Sequence, residues 1–248
     1  VRDEFERISA ACGGCLEVRM QRTLVPGDRA TRIPVDTEVV NVFAILRGRD
    51  PSRYVLMAGD IDSRASNPSD GETDAPGAND NASGLAGVLE AARVLSQAGP
   101  RSASIVFAAL SGEEQGLYGG AHLAALAREE GWGLEAVLNN DMIGNIASID
   151  GMISNAEFRV FSEAIPVPEY RPEGWNYRRY GREVDGPSRQ LARRVAALTE
   201  QVFPRLKARM VYRLDRFGRG GHHTPFNNAG FPGVRIMESH EHYDRQHQ

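Results

Sequence analysis

The sequence lacks the features that mark two large functional classes. It carries a formal net charge of -4 over 248 residues, so it has no basic excess of the kind that nucleic-acid-binding proteins show. No apolar run approaches the roughly 18 residues that a membrane-spanning helix requires. The composition is otherwise that of a globular protein, with 41% hydrophobic and 25% charged residues. We therefore expect neither a nucleic-acid partner nor a membrane span.

Cysteine is scarce, because Cys12 and Cys15 are the two cysteines of the chain. They form Cys-Gly-Gly-Cys, and the lack of a second such pair excludes a four-thiolate zinc site unless histidines complete it. The pair indicates a local structural disulfide in an exported protein, with two free thiols as the alternative. On this basis we expect a secreted or periplasmic protein. The chain begins at Val1 without a Met and stops at Gln248, so we also expect it to be truncated at one or both ends, with the signal peptide missing.

Strand and helix patterns alternate along the chain. Short apolar and β-branched runs predict strands at 16–21, 39–47, 54–58, 104–110, 136–139, 210–214 and 233–237. Helical periodicity or flanking turn signals predict helices at 4–11, 82–97, 118–130 and 188–203. This alternation predicts an α/β fold with a largely parallel sheet.

The region from 156 to 186 interrupts the alternation. Proline, arginine and tyrosine are frequent there, and no clear periodicity remains. Long irregular segments within compact domains are often functional, so we interpret 156–186 as an inserted loop excursion. Because the chain has no internal repeat, we expect residues 1–248 to form one domain, with 1–50 as its N-terminal portion or a lead-in.

Acidic residues follow the ends of the predicted strands or lie in the turn that begins a helix. They are Asp60, Asp62, Asp80, Glu113, Glu114 and Asp141. Since the carboxyl ends of parallel strands meet at one edge of a sheet, we expect these side chains to converge there. Several ionised carboxylates repel one another unless a cation neutralises them. Divalent metal ions, zinc above all, are the simplest explanation.

Each acid has a plainer explanation when it is taken singly. Asp80 could cap the helix that begins near Ala82, and an adjacent pair such as Glu113-Glu114 is usually part of a solvated surface. The joint pattern of acids beside Gly or Asn turns favours a metal site. Within that site, one member of the glutamate pair can bind metal while the other acts as a general base.

Three motifs, in this order, resemble those of the co-catalytic zinc aminopeptidases of the bacterial leucyl aminopeptidase type. These enzymes are relatives of glutamate carboxypeptidase II and glutaminyl cyclase. The motifs are Ala75-Pro-Gly-Ala-Asn-Asp-Asn-Ala-Ser-Gly84, Gly112-Glu-Glu-Gln-Gly-Leu-Tyr118 and Asn140-Asp-Met-Ile-Gly144. The resemblance runs from about residue 54 to the C-terminus. It implies a three-layer α/β/α sandwich, with a mixed, mostly parallel central sheet, and a site for two divalent ions.

The resemblance also implies a role for each acid in these motifs. Asp80 would bridge both metals, while Glu114 would bind one ion and Asp141 the other. Glu113 would be the general base that activates a metal-bound water. Asp62 would lie behind the first ligand and orient it.

The sequence departs from the family pattern at two places. Asp60 stands where the family usually has a histidine ligand, so manganese, cobalt or magnesium could replace zinc at that position. His222 stands where the family often has an aspartate, and the two exchanges could compensate each other. The last family ligand is a C-terminal histidine, for which we prefer His247, with His242 as the alternative.

The resemblance implies an aminopeptidase that acts on peptides, with His223 and Phe226 as predicted substrate-binding residues. Carboxypeptidase action is a variant that would need a basic pocket, for which the arginines of the 156–186 excursion are candidates. The alternatives are a glutaminyl cyclase-like acyltransferase with one zinc and a non-catalytic binding domain. The presence of both Glu113 and Asp80 argues against the last.

Overall fold

The computed structural model describes residues 1–99, 101–163, 185–213 and 220–247. Its strands are β1 Leu16–Val25, β2 Thr37–Leu46, β3 Asp50–Asp60, β4 Ala103–Leu110, β5 Gly133–Asn140, β6 Glu157–Ser162, β7 Lys207–Val211 and β8 Gly233–Glu238. Its helices are α1 Arg2–Ala11, α2 Gly84–Leu95, α3 Glu113–Gly116, α4 Tyr118–Glu129, α5 Pro187–Val202 and α6 His223–Asn228, together with a π-helical turn Ala78–Ser83 and a 3-10 turn Tyr243–Arg245. No helix among the described residues is long and apolar enough to cross a membrane.

The strands form a single mixed sheet in the order β1-β2-β4-β3-β5-β8-β6-β7. The four central strands, β4, β3, β5 and β8, run parallel to one another. β1 and β2 continue the sheet antiparallel on one side, while β6 pairs antiparallel with β8 on the other. The carboxyl ends of the parallel strands thus meet at one edge, as the sequence predicts.

Helices cover both faces of this sheet. Side chains of a strand alternate between faces, so Phe43 packs in the cluster that contains Leu123 of α4, whereas Ala44 packs with Phe5 of α1 and Val88 of α2. α5 packs over β6 and β8 through an apolar cluster of its own. This arrangement confirms the predicted three-layer α/β/α fold. β1 and β2, which lie within residues 1–50, are strands of the same sheet as the later strands.

The prediction of a loop excursion over 156–186 was wrong at its N-terminal end. Residues Glu157–Ser162 form β6, which pairs parallel with β7 and antiparallel with β8. Val160 and Phe161 are buried, one on each face, so this strand has apolar contacts on both sides. Residues 164–184, including the arginines proposed for a basic pocket, lie outside the described residues, as does Leu214 of the predicted strand 210–214.

Candidate active site

Three of the predicted metal ligands come together near the carboxyl ends of the central strands. Asp80 lies in the turn before α2, Glu114 lies in α3 after β4, and His247 lies beyond the last 3-10 turn. His247 Nε2 is 2.5 Å from Glu114 Oε1 and 3.0 Å from Asp80 Oδ2. The ligand atoms of all three lie within 4.8 Å of one another. Their side chains are 11% to 13% exposed, so an ion can reach them from solvent.

The donor set of this cluster fits a zinc ion. Two carboxylates and one imidazole are the ligand types of hydrolytic zinc sites, which keep a further position open for water or substrate. Burial by itself would lower the pKa of His247, but hydrogen bonds to Asp80 and Glu114 raise it to about 9. The two carboxylates therefore hold positive charge between them, as they would hold a cation.

Glu114 is fixed by contacts on three sides. Arg64 Nε donates to Glu114 Oε2 at 2.8 Å, which leaves Oε1 facing His247. Arg32 Nη1 donates to the carbonyl oxygen of Glu114, and the N–H of Glu114 donates to Asp62 Oδ2 at 3.2 Å. These contacts keep one carboxylate oxygen of Glu114 directed at the cluster.

Asp62 has a different partner from the one that the sequence predicts. We expected Asp62 to orient the side chain of Asp60, but Asp62 accepts hydrogen bonds from the backbone of α3, among them the N–H of Glu114. The physical reason is that the first N–H groups of a helix have no partner within the helix. Burial, and then the charge of Asp60, raise the pKa of Asp62 to about 6. Through its hydrogen bond with the N–H of Glu114, Asp62 positions the glutamate pair.

Asp80 is positioned by its neighbour in the turn. Asn81 Nδ2 donates to Asp60 Oδ2 at 2.6 Å and to the Asn140 carbonyl at 2.9 Å. Asn81 Oδ1 accepts the N–H groups of Gly84 and Met142, both at 3.1 Å. A side-chain carbon on Gly84 would lie 2.4 Å from the carbonyl oxygen of Asn140, so only glycine permits this approach. The glycine and asparagine of the Asp80 motif are therefore requirements of this turn.

Glu113, the predicted general base, is adjacent to the cluster ligand Glu114 in α3. Burial raises the pKa of Glu113 well above its ordinary value, and the carboxylates of Asp141, Asp60 and Glu114 raise it further. Arg235 acts in the opposite direction. A general base must be ionised, and a cation held by the neighbouring ligands would favour that state.

The structure does not bring the other two predicted ligands into the cluster. Asp60 Oδ1 lies 2.5 Å from His222 Nδ1, and Asp141 Oδ2 lies 2.8 Å from Arg235 Nη2. Among the described residues, one group of three His, Cys, Asp or Glu side chains has its ligand atoms within 4.8 Å of one another. That group is Asp80, Glu114 and His247. The prediction that Asp60 and Asp141 bind metal directly therefore disagrees with their contacts. His242, the alternative C-terminal ligand, is not in the cluster either.

The structure buries both His223 and Phe226, the residues that the sequence predicts to bind substrate. His223 is 1% exposed, and its imidazole Nε2 lies 3.1 Å from Glu163 Oε1. Phe226 is fully buried and packs in the core cluster beneath α4. Both residues belong to α6, a short helix that packs against α4, β5 and β8. The side chain of Phe226 thus faces the core and not the cluster of Asp80, Glu114 and His247.

Comparison with known proteins places the chain in a family. The model of peptidase family M28 matches residues 41–248, a span that includes the whole Asp80–Glu114–His247 cluster. The chain belongs to peptidase family M28.

Relatives described as probable zinc metalloproteases match nearly the whole chain. The one from Leptosphaeria maculans is 39% identical over 246 residues, which are 99% of this chain and 56% of that protein. One from Pyrenophora tritici-repentis is 41% identical over 224 residues, 90% of this chain and 51% of that protein. The chain therefore spans about half the length of the curated relatives that it matches.

Solved structures agree with the M28 assignment at the level of fold. The LapA aminopeptidase of Legionella pneumophila is 19% identical with a TM-score of 0.60, and the match covers 96% of this chain and 52% of that chain. A glutaminyl cyclase from Fimbriiglobus ruber is 18% identical with a TM-score of 0.62, covering 99% of this chain and 76% of that chain. At these identities the likeness establishes the fold alone.

Sequence reasoning missed the residues that hold the M28 site in place. Arg64, Asn81 and Arg235 all contact predicted site residues, yet none was predicted to do so. Arg235 carried a usable signal, since it is a charged residue within the apolar strand β8, where an unpaired charge would be very unfavourable. Arg64 carried a weaker one, because it follows closely on the predicted site residues Asp60 and Asp62 at the end of β3.

Proposed function

We propose that the chain is the catalytic part of a zinc-dependent aminopeptidase, which removes the N-terminal residue of peptides. The observation that carries this proposal is the cluster of Asp80, Glu114 and His247, with ligand atoms within 4.8 Å of one another. Zinc is supported by the donor types and by the description of the relatives as zinc metalloproteases. Removal of an N-terminal residue is supported by the likeness of fold to the LapA aminopeptidase.

The proposed mechanism assigns a task to each residue of the site. Asp80, Glu114 and His247 would hold the ion, which when bound polarises the scissile carbonyl and acidifies the attacking water. The Glu113 carboxylate accepts a proton from that water and delivers it to the leaving amine nitrogen. Asp62 keeps the glutamate pair in place through the N–H of Glu114.

A second candidate is glutaminyl cyclase-like acyl transfer, in which the α-amine of an N-terminal glutamine bonds to the carbonyl carbon of its own side chain and the amide nitrogen leaves as ammonia. Two observations favour it: the described residues hold a single three-ligand cluster, and a glutaminyl cyclase shares the fold. A peptide with N-terminal glutamine distinguishes the two functions. Hydrolysis releases free glutamine, whereas cyclisation yields ammonia and a pyroglutamyl peptide.

The test combines metal analysis with turnover of aminoacyl chromophores of several side chains. Glu113→Gln should bind zinc like the wild type and lose turnover by roughly 100- to 10,000-fold, the usual contribution of a general base. Glu129→Gln, at an exposed acid of α4, is the matched control and should change neither quantity. If the wild type bound no metal and stayed inactive with zinc, manganese or cobalt, the proposal would be overturned. Persistent turnover in Glu113→Gln would reject only the assignment of the base.

We also propose that the protein is exported to the periplasm or the medium. The Cys12–Cys15 disulfide supports this, because disulfides persist in oxidising compartments. Fractionation of the source cells tests the proposal, and recovery of the protein from the cytoplasm with reduced thiols would contradict it.

A further inference from the structure

Asp141 is already paired with a permanent cation. It follows β5, and Arg235 lies on the parallel neighbour β8, where its register partner is Asn139. Arg235 Nη2 lies 2.8 Å from Asp141 Oδ2, and the two side chains are only 2% and 3% exposed. A guanidinium group keeps its charge throughout the pH range in which proteins are folded. The charge of Asp141 is therefore balanced without a metal ion.

The backbone before α6 closes over this ion pair. A side-chain carbon built on Gly221 would lie 3.2 Å from Asp141 Oδ2 and 3.2 Å from Arg235 Cδ. It would also lie 2.9 Å from Asn139 Oδ1. Because residue 221 is glycine, its backbone can pack this closely beside the Asp141–Arg235 pair, whereas a larger residue would press on both side chains.

Asp60 is engaged in a similar way on the neighbouring strand. Its Oδ1 lies 2.5 Å from His222 Nδ1, and its Oδ2 accepts a hydrogen bond from Asn81 Nδ2 at 2.6 Å. Asp60 is 2% exposed, and the His222 side chain is fully buried. Each oxygen of this carboxylate therefore has a protein partner.

We infer that Arg235 and His222 replace a second metal ion, so that the chain binds one ion, at Asp80, Glu114 and His247. This inference rests on the proposed function, because it concerns the metal content of the same site. Asp60 and Asp141 are then positioning residues, which hold the Asn81 turn and Arg235 in place. A second ion would have to break the Asp141–Arg235 pair, and this would cost the buried guanidinium its ion pair with Asp141.

Metal stoichiometry tests the inference directly. Wild-type protein is dialysed against excess zinc, separated from free metal, and analysed for zinc per chain, with an expected value of about one. Arg235→Met combined with Asp60→His removes the guanidinium and supplies an imidazole, and we expect this double variant to bind two zinc ions. Arg209→Met is the matched control, since Arg209 pairs with Glu157 at the exposed edge of the sheet, and it should bind one.

Cobalt spectroscopy gives a second readout, independent of activity and of how the variants fold. The electron paramagnetic resonance signal of wild-type protein should grow up to one equivalent of cobalt. A second equivalent of cobalt should not weaken the signal. Weakening would require a second bound ion, since neighbouring ions about 3.5–4 Å apart couple with each other. Two zinc ions per wild-type chain, or a coupled cobalt pair, would overturn the inference while leaving the proposed function intact. The absence of any bound metal in the wild type would overturn both.

Discussion

Asp62 affects the site through the backbone of the residue that binds metal. Its Oδ2 accepts the N–H of Glu114 at 3.2 Å, and its negative charge lies near the cluster. Asp62→Ala removes both the hydrogen bond and the charge, and each loss disfavours a bound cation. We expect the zinc dissociation constant to rise by about 10- to 100-fold, the usual effect of losing the partner of a metal ligand. Competition with a zinc-binding dye measures the constant.

Asp70→Ala is the matched control for this variant. Asp70 also accepts backbone N–H groups, those of Glu72 and Thr73, but it does so in an exposed loop. We expect Asp70→Ala to bind zinc with wild-type affinity. Equal zinc affinities for Asp62→Ala and the wild type would show that Glu114 keeps its position without Asp62.

Glu238 links three elements of the fold at the end of β8. Both of its carboxylate oxygens accept from Asn79 Nδ2, at 3.3 and 3.1 Å, and Oε2 also accepts the N–H of Asn145 at 3.1 Å. Burial outweighs these hydrogen bonds and raises the pKa of Glu238 from 4.5 to about 7. The folded protein thus binds this proton more tightly than the unfolded chain, and stability is lost as the pH rises from about 4.5 to about 7.

Glu238→Gln should remove this part of the pH dependence, because an amide does not titrate. We expect the variant to gain in free energy of unfolding relative to the wild type across that pH range, with no further relative change above it. Urea unfolding at a series of pH values measures the difference. Glu200→Gln, at an exposed acid of α5, should show no such trend. A difference between Glu238→Gln and the wild type that stays constant with pH would contradict the expectation.

The elements that carry the cluster could be predicted because their signals are local. An acid that follows a short apolar run marks a strand end, and a parallel sheet collects such ends at one edge. β6 was missed because its six residues directly precede a segment rich in proline and arginine, and the irregular composition of that segment hid the strand. A strand buried on both faces also lacks the alternation that identifies a half-buried one.

The pairings of Asp60 and Asp141 arise only in the whole molecule. Their partners, His222 and Arg235, are separated from them by more of the chain than any local pattern spans, and the sheet brings β5 beside β8. The proposed exchange of histidine and aspartate between positions 60 and 222 remains a hypothesis, supported by the hydrogen bond between these side chains. From the sequence, the family resemblance could suggest that positions 60 and 222 are linked. It could not show that Arg235 forms an ion pair with Asp141.

The central claim, that Asp80, Glu114 and His247 hold a catalytic zinc ion, is tested most directly by anomalous diffraction. Data collected at the zinc edge, from crystals of the wild-type chain loaded with zinc, locate each bound ion without reference to activity. We predict one strong peak, bounded by Asp80 Oδ2, Glu114 Oε1 and His247 Nε2. The absence of a peak there, or a peak held by other side chains, would contradict the claim.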